Sequence, residues 1–138
     1  MKKLLIILLC LPLFTLAQQT YVPDDNFEAY LENNGMGNGI LNDDYVTTAN
    51  INTVISLGVA YESIADLTGI EAFTALTSLD CPNNQLTILD VSNNTALTQI
   101  CCRDNQLTSI NVSACTALDN LYCENNNLTS LDVSNNTA

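Results

Sequence analysis

Three cysteines fall at one interval: Cys81, Cys102 and Cys123 each lie 21 residues apart. Three thiols in register invite a metal-site reading. A Zn²⁺ site needs ligands that converge on a point, usually through close C-x-x-C pairs. Thiols 21 residues apart in a repeat form a line instead, and a buried cysteine packs as a small hydrophobe. The expectation is therefore packing, with no metal and no cofactor. Cys101 adjoins Cys102 and should face outward, while the exposure of Cys115 is open. The sixth cysteine, Cys10, precedes these in an apolar run. Five cysteines beyond that run make a poor disulfide framework.

Other chemistry is sparse. There is no histidine, which removes imidazole as a general base. There is also no G-x-S-x-G and no phosphate-binding loop. The paired acids Asp43-Asp44 are chain neighbours, with no spacing suited to glycoside hydrolysis. The expectation is that the protein is not an enzyme. The segment from Asn34 to Tyr45 partly matches a Ca²⁺ loop at Asn34, Asn38 and Gly39, but Met36 and Tyr45 break the pattern. Ca²⁺ is thus a weak candidate partner.

The cysteines belong to a wider echo. Leu76, Leu97 and Leu118 open three copies. Leu79, Ile100 and Leu121 follow, then the cysteines, then Asn84, Asn105 and Asn126. Leu86, Leu107 and Leu128 come next, then Leu89, Ile110 and Leu131, then Val91, Val112 and Val133. An earlier, degenerate copy aligns at an offset of 22 through Val54, Leu57, Val59, Ile64 and Leu67, with Gly69 placed to absorb the extra residue. A fixed period of this length means a stacked solenoid.

Leu79-Asp80-Cys81 alternates in, out, in, so each copy contributes a short strand, stacked in parallel ~4.8 Å from the next. Twenty-one residues leave little room for a convex helix, so Leu89-Asp90-Val91 predicts a second short strand or a 3₁₀ turn. Asn84, Asn105 and Asn126 should point inward and satisfy backbone groups of neighbouring turns. Similar ladders are expected of Ser92, Ser113 and Ser134 and of Thr95, Thr116 and Thr137.

The consensus L-x-x-L-x-C-x-x-N-x-L resembles the leucine-rich repeat family, with cysteine in a leucine slot. Leu67-Thr68-Gly69-Ile70-Glu71 and the opening Val22 to Phe27 look like the internalin-type and related secreted bacterial members. The resemblance covers residues 21 to 138 and implies a right-handed, mainly β solenoid with a concave strand face.

Three segments follow. Residues 1–17 read as a signal peptide: Lys2 and Lys3, an apolar run from Leu4 to Leu16, and Ala17 at the cleavage position. The run is too short to favour a membrane span, and Leu8-Leu9 fits poorly with lipidation at Cys10. Residues 18–52 read as a helical cap: Asp24 or Asp25 starts a helix, Phe27, Tyr30 and Leu31 form its apolar face, and Asn33-Asn34-Gly35 ends it. Residues 53–138 hold about four repeats. The last stops in mid-register at Ala138 and should fray or self-associate, so a fragment of a longer chain is expected.

Without the leader, 15 acids face Arg103 alone, a side-chain charge of −14. That excludes nucleic acid as a partner and disfavours anionic membrane surfaces, and no membrane insertion of the mature chain is expected. The outward strand slots differ from copy to copy: Tyr61; Asp80, Pro82 and Asn83; Gln99, Cys101, Arg103 and Asp104; Asn120, Tyr122, Glu124 and Asn125. Of these, Tyr61, Asp80, Asn83, Gln99, Arg103, Asp104, Asn120, Tyr122 and Glu124 form the candidate binding face, with Tyr and Arg as its anchors. The expected function is a secreted or cell-surface module that binds a protein or glycan. The alternative is a structural spacer or adhesin stalk without recognition.

Overall fold

The computed structural model describes residues 17–138; the basic-apolar leader and Cys10 lie outside them. Asp24 starts the cap. Its Oδ1 accepts from the Asn26 and Phe27 amides, both at 3.0 Å, and opens helix α1, Asp25–Asn33. Phe27 and Leu31 are buried and Tyr30 is half-buried. The antiparallel strands β1, Gln19–Tyr21, and β2, Tyr45–Thr47, complete the cap with the short helix α2, Thr48–Ile51.

The copies then stack. Strands β3, Ser56–Gly58, β4, Ser78–Asp80, β6, Gln99–Cys101, and β8, Asn120–Tyr122, form one parallel sheet in that order. Leu57, Leu79, Ile100 and Leu121 stand in register along its inner side. Leu57, Leu79 and Ile100 are buried, which stabilises each by ~1.5–3 kcal/mol relative to exposure. On the opposite side, β5, Ile88–Asp90, pairs in parallel with β7, Ser109–Asn111. Copy one has no strand at the aligned residues 66–68, and a 3₁₀ turn, Ile70–Ala72, follows them. The short-strand option read from the alternating Leu-Asp-Val pattern thus holds at β5 and β7.

Glycine at position 69 is required twice over. Its φ is +104°, and a Cβ there would lie 2.7 Å from Val22 Cγ2 and 2.9 Å from the Tyr21 carbonyl. The extra residue of copy one therefore lets the chain close against the cap. Phe27 and Phe73 stack across the same junction, with ring centroids 6.3 Å apart.

Candidate functional site

Two polar ladders hold the copies in register. The Asn84 amide donates to the carbonyls of Val59 at 2.7 Å and Cys81 at 3.1 Å, while its Oδ1 accepts from Ile64 N at 3.0 Å. Asn105 repeats this on Cys81, Cys102 and Leu86, and Asn126 on Cys102, Cys123 and Leu107. Each asparagine thus satisfies main-chain groups of its own turn and of the turn before. The second ladder was not legible as such. Asn94 donates to Ile70 O and Phe73 O, and Asn136 to Val112 O and Cys115 O. Between them the buried Cys115 puts its Sγ 3.3 Å from Val91 O.

The hydroxyl ladders differ from expectation. They run through Thr77 and Thr98, each bonded to the carbonyl of the preceding copy, and through Thr108 to Thr87 O. Ser92, Ser113 and Ser134 instead donate their amides to Asp90, Asn111 and Asp132, closing local Asx turns.

Cys81 and Cys102 are buried, Cys123 is half-buried, and all five described cysteines are unpaired by disulfide. Burial drives the Cys81 thiol well above its usual range, and Cys102 rises to about 12 for the same reason. Cys101 is half-exposed on the outer side of β6, as the alternation requires, and its thiol is also raised by burial. These are packed, protonated thiols, not thiolate nucleophiles.

The cap loop follows a different logic from a Ca²⁺ loop. Glu32 accepts from the Asn38 and Gly39 amides, and Asn38 bonds Asp43. Buried Glu28 accepts from Asp43 N at 3.1 Å and Asp44 N at 3.4 Å. Burial raises its pKa, opposed by those amides. Oxygens of Asp25, Glu28 and Asp44 come within 4.8 Å of one another. These are not the residues of the partial Ca²⁺ pattern at Asn34, Asn38 and Gly39, and both Glu28 oxygens already accept amides of the cap loop.

The nine residues of the candidate face lie along the outer side of the four-stranded sheet; two register rows cross its strands, and Arg103 and Glu124 follow the ends of β6 and β8. Ser78, Gln99 and Asn120 share one register row; Gly58, Asp80, Cys101 and Tyr122 share the next. Beyond the strand ends, Tyr61, Asn83, Asp104 and Asn125 all take left-handed backbone, with φ of 63°, 56°, 54° and 56°. In the first three, this conformation goes with a bond to the next copy: Tyr61 N donates to Pro82 O, Asn83 N to Arg103 O and Asp104 N to Glu124 O. Asn and Asp tolerate it; a tyrosine rarely does.

The side chains interlock at the far copies. The Arg103 guanidinium sits 4.8 Å from the centre of the Tyr122 ring, and its Nε lies 3.4 Å from Glu124 Oε2. Asn125 donates to Asp104 Oδ1 at 2.7 Å, and Tyr122 Oη to Asn120 Oδ1 at 3.4 Å. Tyr61 stands apart, 75% exposed. Sequence reasoning left Cys101 out of the face, although alternation places it between Asp80 and Tyr122.

Parallel strands, a period of 21 residues and asparagine ladders define an internalin-like leucine-rich repeat solenoid. No protein-family model matches the chain. It is 40% identical over 74 residues to Internalin J of Listeria monocytogenes serotype 4b (strain F2365), a match that covers 54% of this chain and 8% of that protein. Among solved structures it is similar to the functional domain of InlJ from Listeria monocytogenes, which includes a cysteine ladder. That match has a TM-score of 0.72 and 39% identity, over 87% of this chain and 27% of the other. The chain therefore spans a small part of each of these relatives. No described helix is long and apolar enough to cross a membrane.

Proposed function

We propose that the outer face of the four-stranded sheet is a protein- or glycan-binding surface of a secreted or cell-surface protein. The observation that carries this is the cluster of Arg103, Tyr122 and Glu124, an ordered cation and aromatic on the varying face of a regular scaffold. Arg and Tyr are the residue types that dominate binding hot spots. Tyr61 supports the reading, because an exposed aromatic in left-handed backbone is costly to keep without a role. The likeness to internalin domains supports a surface module rather than a catalyst. The division into a leader at 1–17, a cap at 18–52 and repeats at 53–138 belongs to the same proposal, as do the exclusion of nucleic acid and of membrane insertion of the mature chain.

The test is a glycan array and a pull-down of surface proteins with the purified chain, followed by Arg103→Ala and Tyr122→Ala. Both substitutions should weaken any captured ligand, and Thr95→Ala on the opposite side should not. Binding that survives both overturns the assignment of the face. A chain that captures nothing favours the structural spacer.

A further inference from the structure

We propose a second binding site on the opposite side of the solenoid. It is a cleft between copy one and β5 that receives an extended peptide rich in Lys or Arg, which adds a strand to the free edge of β5. The ladder on this side reaches only from β5 to β7. Thr108 N donates to Thr87 O at 2.9 Å and Val91 N to Asn111 O at 3.1 Å. Strand alternation sends the main-chain groups of Ile88 and Asp90 to the other edge, where copy one offers no strand.

The reason lies in copy one. The residues aligned with β5 are Asp66, Leu67 and Thr68. Asp66 Oδ1 accepts from both the amide and the hydroxyl of Thr68 at 2.8 Å, which curls the segment. The cap holds it from behind, with Asp24 Oδ2 accepting from Ala65 N and Asp66 N. Gln85 N still reaches Ile64 O at 2.8 Å. Beyond that bond the copies part and leave a cleft of about 430 Å³ between residues 65–68 and residues 87–90. This volume falls within the ~300–1,000 Å³ of ordinary ligand clefts.

The lining selects the occupant. Ile88 is a large apolar side chain left 62% exposed at the edge. Asp66, Glu71 and Asp90 line the cleft. Each commits one oxygen internally, to Thr68, Gly69 and Ser92 respectively. Among the described residues no cation answers them, since Arg103 lies on the other sheet beside Glu124. An unpaired strand edge flanked by carboxylates and an exposed isoleucine suits a segment alternating basic and apolar residues, paired through its backbone. This site is independent of the face proposed above.

The probe is a fluorescein-labelled peptide of alternating Lys and Val, followed by anisotropy at low salt. Its counterpart methylated on alternate backbone nitrogens has the same charge but a blocked edge. The parent peptide should bind, and the methylated one at least about tenfold more weakly, the worth of a lost hydrogen bond or more. Asp66→Asn with Glu71→Gln should weaken binding similarly. So should Ile88→Pro, since proline is tolerated where a strand N–H faces away from the ladder. Arg103→Ala and Tyr122→Ala should change nothing. No binding, equal binding of both peptides, or loss with Arg103→Ala overturns the proposal. If Ile88→Pro does not fold, the two peptides on the native chain still decide it.

Discussion

Asp24 Oδ2 accepts a hydrogen bond from the Ala65 amide at 2.8 Å, across 41 residues of chain. The other oxygen of the same carboxylate caps α1. One side chain thus fixes the start of the cap helix and docks the first copy against it. Asp24→Ala should cost more than the ~0.5–2 kcal/mol of a lone N-cap, because Ala65 N and Asp66 N also lose their acceptor. Urea unfolding measures the total. Amide exchange should quicken at Ala65 and Asp66 as well as in the first turn of α1. Faster exchange confined to the helix would show that the bridge contributes nothing.

Asn105→Ala removes the acceptor of Leu86 N and the donor to Cys81 O and Cys102 O at once. Each buried group left unpaired costs ~1–3 kcal/mol, so the variant should lose several kcal/mol or fail to fold. Exposed Asn93→Ala, one slot outside the second ladder, should stay within about 0.5 kcal/mol of the parent. Comparable losses in the two variants would refute the ladder as the main register device.

Glu28 is buried and receives the amides of Asp43 and Asp44. Its raised pKa says that the fold tolerates the protonated form better than an exposed carboxylate would. Glu28→Gln, which keeps an acceptor without the charge, should be far milder than Glu28→Ala. Thermal melts at neutral pH distinguish the two, and equal losses would mean the contact is steric only.

The packed thiols set an alkaline limit. Burial holds Cys102 at about 12 and Cys81 well above its ordinary value, whereas an unfolded thiol ionises near pH ~8.5. The fold therefore keeps protons that the unfolded chain releases. Stability is whole below that pH and falls as pH rises toward the folded values, by at most ~1.4 kcal/mol per pH unit for each thiol. Cys102→Val should flatten the slope of the urea midpoint between about pH 8 and about pH 11. An unchanged slope would show that Cys102 does not report the effect.

Much of this was legible because a repeat states its inward positions several times over. Leu79, Ile100 and Leu121, or Asn84, Asn105 and Asn126, confirm one another's role, and alternation then assigns Asp80, Cys101 and Tyr122 to the outside. The same averaging hid the positions that break it. Cys115 occupies the slot of Phe73, Asn94 and Asn136, three residue types over four copies, so no pattern announced a ladder there. Ser92, Ser113 and Ser134 recur faithfully, yet close local turns, while Thr77 and Thr98 carry the hydroxyl ladder; recurrence alone does not say which carbonyl lies within reach.

The sequence by itself determined the period, the stacked parallel strands, the inward asparagines and the capping helix, because each follows from local spacing and side-chain chemistry repeated in register. Tertiary structure alone decided how the copies meet. The one extra residue at Gly69 and the double grip of Asp24 turn copy one toward the cap, leave the edge of β5 unpaired and open a cleft beside it. Contacts between segments 41 residues or more apart produce that gap, and no periodicity within a copy encodes it.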